Sequence, residues 1–484
     1  LTRLSLQPVL YVIGLLLAVL GVAMLLPGIA DLAAGDVDWR GFFVGGGFTG
    51  LVGGLLILAN RTANLTMSLR QAFLLTVFGW VFTAAFSAIP FVFSRLNISY
   101  TDAFFEAISG LTTTGSTILV GLDVAPPGVL LWRSLLQWLG GIGIVVMAIV
   151  LLPFLRVGGM QLFRMESSDR SEKVMAKVNQ LGLATLAVYT LLTVVCAVLY
   201  DIAGMTLFEA MNHAMTTLST GGYSTSDASM GHFPSPWIHW IGTIFMAAGS
   251  LPFVLYLKVM RGGVDPLLND SQVKAFVGFL GFVTLFLATW LALDEGIGYF
   301  QALTLVAFNV TSVVTTTGFA TTDYTLWGAF AVAAFFALTF VGGCNGSTAG
   351  GIKIFRFQVA WILFTAHLRR LISPNAVAPR LYNGQSIGEE VAGSVLLFFF
   401  VYVGTVGSIA LLLGLWGLDW VTAISGAATA VSNVGPGLGP IIGPAGNFAT
   451  LPDGAKWLLS AGMLLGRLEF FTVLVLLAPR FWRD

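Results

Sequence analysis

The chain has 484 residues, 57% of them hydrophobic and 10% charged, with 23 lysines plus arginines against 23 aspartates plus glutamates. No soluble domain of this length has a mean hydropathy of +0.89, so the composition describes a polytopic membrane protein. A formal net charge of zero offers no basic surface for nucleic acid; two cysteines are too few for a disulfide framework or a zinc site, and four histidines without ligand spacing leave no structural metal to expect.

Two apolar helices come first, near 8–30 and 42–59. The stretch from Val9 to Leu26 is long for a signal-peptide core and a second apolar stretch follows, so the pair reads as a retained hairpin. Then a pattern of helix, short helix, loop and helix recurs four times. The first unit has 71–94, 101–113, 114–117 and 132–155; the second 181–200, 205–219, 220–224 and 237–258. The third has 274–293, 298–316, 317–322 and 327–364; the fourth 391–417, 419–432, 433–440 and 457–478. With about twenty apolar residues per crossing, the expectation is an all-α integral membrane protein of ten crossings. The divisions are 1–69 for the hairpin and 70–178, 179–271, 272–388 and 389–484 for the four units.

The short loops mark the repeat. Thr113-Thr114-Gly115 is echoed by Ser219-Thr220-Gly221, by Thr316-Thr317-Gly318 and, most faintly, by Asn433-Val434-Gly435, at intervals of roughly a hundred residues. One such run alone is an ordinary turn; four in matching context suggest loops that meet on one axis. An ion entering apolar surroundings must exchange its water shell for other oxygens, and backbone carbonyls of small residues supply them. Glycine allows the dihedrals that aim a carbonyl inward, and threonine stiffens the backbone beside it.

Charge orients the chain. Lysines and arginines gather on one side, from Arg61 and Arg70 through Arg156–Lys177, Lys258–Lys274 and Arg369–Arg380 to Arg480 and Arg483; the other side has Arg40, Arg95, Arg133 and Lys456. The positive-inside rule then puts both termini in the cytoplasm and the loops outside. Acids from Asp31, Asp36 and Asp38 to Asp419 and Asp453 make the outer mouth attractive to cations. Trp132, Trp237, Trp327 and Trp457, opening the second helix of each unit, read as interfacial anchors. The short helices end at the loops, where each C-terminus carries about half a negative charge. Glu106 and Glu209 inside two of them are pore charges or, the favoured reading, satisfied structural carboxylates.

Two more sites stand out. Val341 to Lys353 contains Gly342, Gly343, Cys344, Asn345, Gly346, Ser347, Thr348, Ala349, Gly350 and Gly351 in mid-helix. Glycine costs about 1 kcal/mol relative to alanine in a helix interior, so the helix breaks here. In a membrane such a loop persists where protein or a water-filled cavity satisfies its backbone, which suits a mobile plug below the loops, or a purely structural kink. It lacks the spacing of a phosphate-binding loop. Arg467, in Gly466-Arg467-Leu468-Glu469, costs at least about 2.5–3.5 kcal/mol at mid-membrane, so it faces the water-filled pathway or a partner. Glu469 is two residues away, on another face of the helix.

Together, Thr-Thr-Thr-Gly-Ser, Ser-Thr-Gly-Gly-Tyr-Ser, Gly-Cys-Asn-Gly-Ser-Thr-Ala-Gly-Gly-Ile-Lys and Gly-Arg-Leu-Glu-Phe-Phe make the chain resemble the Trk/Ktr/HKT superfamily of potassium transporters over nearly its whole length. The extra N-terminal helix pair is similar to the Trk branch. The resemblance implies a potassium filter at Gly115, Gly221, Gly318 and Gly435 in one pseudo-fourfold pore, a gating loop at Gly342 to Lys353 and a constriction at Arg467. It also implies a bacterial inner-membrane homodimer with two separate pores. A cytoplasmic ring of partner protein would bind the nucleotide that sets the gate, docking near Arg164–Lys177 and Arg369–Arg380; no nucleotide fingerprint occurs in this chain. The fourth loop lacks threonine, which makes the ring chemically uneven, and glycine rather than serine at position 115 favours potassium over sodium. Channel-like potassium uptake is the leading reading, and a sodium- or proton-coupled symporter with a midplane site is the alternative. An intramembrane enzyme is discounted, because only Arg467 and Glu469 are placed at depth.

Overall fold

The computed structural model describes residues 5–61, 67–150, 172–375 and 379–483. The N-terminal pair is α1 (Gln7–Ala23) continued by α2 (Leu25–Ala34), then α3 (Trp39–Ala59). Its two arms cross on small residues. A Cβ on Gly21 would lie 2.7 Å from the Gly46 carbonyl, and one on Gly53 2.7 Å from that of Gly14. Without a hydrophobic drive between helices in lipid, such close backbone approach supplies the dispersion contact that holds them.

The first unit has α4 (Leu69–Ser87), α5 (Tyr100–Leu111) and α6 (Pro127–Val150); the second has α7 (Glu172–Ile202), α8 (Leu207–Leu218), α9 (Pro236–Gly249) and α10 (Phe253–Gly262). The third has α11 (Ser271–Asp294), α12 (Tyr299–Val314), α13 (Ala329–Leu338) and α14 (Ile354–Ile372); the fourth has α15 (Glu389–Leu415), α16 (Trp420–Ser432), α17 (Asp453–Arg467) and α18 (Phe470–Leu474). Each unit therefore repeats one order: long helix, short helix, loop, helix. Three of the four short helices start on polar caps: the side chains of Ser99, Thr206 and Asp419 accept from the backbone N–H of Asp102, Glu209 and Thr422, while α12 starts on Gly298. Each bond satisfies one of the orphan donors of a helix N-terminus.

Among the described residues seven helices are long and apolar enough to cross a membrane, and two bent pairs raise this to nine. The pairs are α9 with α10, bent by 93° at Pro252, and α17 with α18, bent by 112°. α13 and α14, with the glycine-rich run between them, occupy the position of the tenth expected crossing. Proline explains the first bend, since it cannot donate to a continuing helix. At the second, Glu469 adopts φ +61°.

Several outer residues are not where the sequence puts them. Trp132 is fully buried, donating its indole N–H to the Ser87 carbonyl at 3.0 Å, so it is core and not an interfacial anchor. Trp237 and Trp457 are exposed. Arg133 and Lys456 are buried in ion pairs with Glu106 and Asp102 and are not solvated surface charges. A short hairpin, Leu381–Tyr382 with Gln385–Ser386, turns on Asn383-Gly384, both at positive φ as a type I′ turn requires. Arg156, Arg164 and Arg170 lie outside the described residues.

Candidate functional site

The four short helices end in the same way. Thr113, Thr220, Thr316 and Asn433 all have left-handed φ, between +52° and +58°. In each case the N–H of that residue bonds three residues back and the next N–H five residues back: Thr113 to Gly110 and Thr114 to Ser109, Thr220 to Thr217 and Gly221 to Thr216, Thr316 to Val313 and Thr317 to Ser312, Asn433 to Ala430 and Val434 to Thr429. This is a Schellman closure made four times without glycine at its left-handed position. Asparagine tolerates that conformation; a β-branched threonine is an outlier there, at about 1–3 kcal/mol each.

Two residues further on, a left-handed glycine follows: Gly115 at φ +84°, Gly222 at +78°, Gly318 at +83° and Gly435 at +111°. The second loop thus has a register one residue later than the sequence suggests. Gly222 takes the place of Gly115, Gly221 that of Thr114, and Ser219 is the C-cap of α8. The helix-ending bonds fix this alignment, and counting from Thr113, Thr220 and Thr316 would have found it.

These glycines form a ring. A Cβ on Gly115 would collide with the Gly221 carbonyl, one on Gly222 with that of Thr317, and one on Gly318 with that of Val434; one on Gly435 would lie 2.8 Å from the Thr114 carbonyl. Each loop touches the next and the fourth returns to the first, so the four surround one centre. Side chains reinforce the closure: Ser116 Oγ donates to the Gly435 carbonyl at 2.8 Å, and Asn433 Nδ2 to Thr114 Oγ1 at 2.9 Å.

The glycine-rich run lies against this ring. The Gly350 N–H donates to Thr316 Oγ1 at 2.6 Å and the Gly351 N–H to the Ser432 carbonyl at 2.8 Å. Thr348 Oγ1 lies 3.0 Å from the Leu218 carbonyl and 2.9 Å from that of Gly249. The Cys344 N–H bonds the Ser250 carbonyl, the Asn345 N–H bonds Gln272 Oε1, Ser347 Oγ bonds the Cys344 carbonyl, and the Gly346 carbonyl accepts from Phe253. Gly343 and Ala349 face each other across the run, and Lys353 Nζ donates to the Ala349 carbonyl. The run is irregular, as its composition predicts, and protein groups satisfy its backbone.

Arg467 ends α17. It is buried, yet none of its three guanidinium nitrogens has a hydrogen-bond partner among the described residues. Glu469 is not its partner: that carboxylate takes Arg356 Nη2 at 2.6 Å. Gly466, one residue earlier, packs on Val431 and Asn433, which puts this helix end against the fourth loop. Charge is more widespread inside than the sequence suggests, since Glu106, Arg133 and Arg356 are fully buried as well. Glu106 is structural, accepting from Arg133 Nε at 2.7 Å and the Ile118 N–H at 2.9 Å. Glu209 completes the capping box of α8 with Thr206.

The family model described as TrkH, cation transport protein, matches residues 40–483. The chain belongs to this family. It is 48% identical to the Trk system potassium uptake protein TrkI of Halomonas elongata, over 99% of this chain and 97% of that protein. It is 36% identical to the Trk system potassium uptake protein TrkH of Escherichia coli K12, over 98% of each. The crystal structure of the potassium transporter TrkH from Vibrio parahaemolyticus superposes with a TM-score of 0.92 at 34% identity, covering 99% of this chain and all of that one. These TrkH-family relatives are named as transporters, and this chain is a multi-pass membrane transporter, not an enzyme.

Proposed function

We propose that this chain takes potassium into the bacterial cell through a gated, channel-like pore. Its filter is Thr113–Gly115, Thr220–Gly222, Thr316–Gly318 and Asn433–Gly435. Its gate is the run from Gly343 to Lys353 together with Arg467. The observation that carries this reading is the closed ring of four left-handed glycines, each against the next loop's carbonyl. Such a ring packs peptide oxygens densely enough to replace an ion's water. Four short helices point their partially negative C-terminal ends at it. The names of the relatives supply the ion, and Gly115 in place of serine agrees with potassium.

The bonds from Thr348, Gly350 and Gly351 support a plug beneath the filter, and Arg467, without a hydrogen-bond partner among the described residues, adds a positive charge that opposes cations at rest. Both termini are cytoplasmic in this reading, the chain works as a homodimer with one pore per protomer, and a cytoplasmic nucleotide-binding ring moves the gate. The test is flux into proteoliposomes for potassium, rubidium, sodium and lithium, with and without the cytoplasmic partner. Discrimination against sodium and lithium together with single-channel currents is the expected result. Saturable counterflow that requires sodium or a proton gradient would replace the channel by a coupled symporter.

A further inference from the structure

The second loop departs from the other three at one place. Where they carry Thr114, Thr317 and Val434, it carries Gly221. Backbone conformation does not ask for glycine there, since the left-handed residues are Thr220 and Gly222. The volume a Cβ would take is filled by the carboxamide of Gln137, whose Nε2 would lie 2.8 Å from it and whose Cδ and Oε1 would lie closer.

Gln137 is fully buried in α6 and uses both ends of its amide on this loop. Nε2 donates to the Gly221 carbonyl at 2.6 Å, and Oε1 accepts from the Tyr223 N–H at 3.0 Å. A carbonyl needs a donor and an N–H an acceptor, so the amide has one consistent orientation. One turn earlier on the same face, Arg133 Nη1 donates to the Ser224 carbonyl at 2.8 Å. Loops one and three are braced internally instead, by hydroxyl pairs at 2.7 Å between Thr112 and Thr114 and between Thr315 and Thr317. Among the described residues no hydrogen bond reaches the carbonyls of Thr114, Thr317 or Val434, the counterparts of Gly221.

We propose that Gln137 is a positioning residue for cation selectivity: its amide stands in for the missing side chain at position 221 and fixes the direction of that loop's carbonyl. The proposal rests on the reading of the four loops as the filter. A carbonyl held in place disfavours collapse onto a smaller ion; one released from its donor accommodates sodium more readily.

The test uses the full chain in proteoliposomes, with folding checked by thermal unfolding in detergent. Gln137→Leu is expected to keep potassium flux while raising the sodium-to-potassium permeability ratio about three- to tenfold, the factor one hydrogen bond supplies. Gln137→Met, of similar volume, has no N–H or O–H to donate and should shift the ratio the same way, which separates the bond from packing. Gly221→Thr alone should abolish flux by collision with the amide. The double variant Gln137→Ala with Gly221→Thr should restore flux to within about threefold of the parent, because contacting sites couple. Folded Gln137→Leu and Gln137→Met proteins with the parent ratio would overturn the proposal, as would a folded double variant no better than Gly221→Thr. If Gly115→Ser shifts the ratio while the Gln137 variants do not, the filter reading stands and this inference alone falls. If none of them shifts it, the filter reading itself falls.

Discussion

Arg356 on α14 and Glu469 at the bend between α17 and α18 meet at 2.6 Å, although 113 positions separate them. The guanidinium also lies 3.6 Å from the centroid of the Phe398 ring. The helix that follows the glycine-rich run is thereby fastened to the fourth unit. Breaking a buried pair from one side leaves a charge unpaired and costs about 3–5 kcal/mol. Glu469→Ala is expected to lower the unfolding temperature in detergent by several degrees. An unchanged unfolding temperature would show that the pair contributes nothing.

Gly115→Ser is expected to raise relative sodium permeability. The new Cβ meets the Gly221 carbonyl, and the left-handed backbone adds about 1–2 kcal/mol for a residue with a side chain. Bi-ionic permeability ratios read this directly, and unchanged ratios in folded protein count against a filter at this ring.

Arg467→Ala should increase potassium flux on the order of tenfold, as removal of about 1.4 kcal/mol of charge repulsion would. The guanidinium makes no hydrogen bond with the described residues, so the unfolding temperature should hardly move. Flux at or below the parent's in a folded variant would remove Arg467 from the gate.

Deleting Gly346–Gly350 takes away Thr348, the Gly350 N–H that ties the run to Thr316 and the Gly346 carbonyl that accepts from Phe253. We expect raised, less regulated rubidium uptake in vesicles. Reduced uptake by a correctly folded deletion protein would mean that the run supports the pathway and does not block it.

Much of the site was legible because it is local chemistry repeated. Threonine-glycine runs at the ends of three short helices, with Asn433-Val434-Gly435 as a fainter fourth, announce similar helix terminations, and five glycines between Val341 and Lys353 announce a broken helix. The register of the second loop was less legible. Gly221 and Gly222 are adjacent, and the spacing of glycines alone cannot say which one carries the positive φ. The bonds from Thr220 and Gly221 back into α8 decide it. Trp132 and Arg133 were misread for another reason: hydropathy puts both at an interface, whereas their partners Ser87 and Glu106 belong to helices earlier in the chain.

By itself, then, the sequence determined the membrane class, the fourfold recurrence and the break in the third unit, since each follows from hydropathy, spacing or the backbone preferences of glycine and threonine. Tertiary structure alone decided which loop touches which, that Glu469 answers Arg356 and leaves Arg467 without a hydrogen-bond partner among the described residues, and that Gln137 fills the space over Gly221. The Gln137–Gly221 and Arg356–Glu469 contacts join residues 84 and 113 positions apart, and the bonds between the first and fourth loops 319. A side chain's partner at that separation is set by how the helices close around the centre, and residue order does not encode that closure locally.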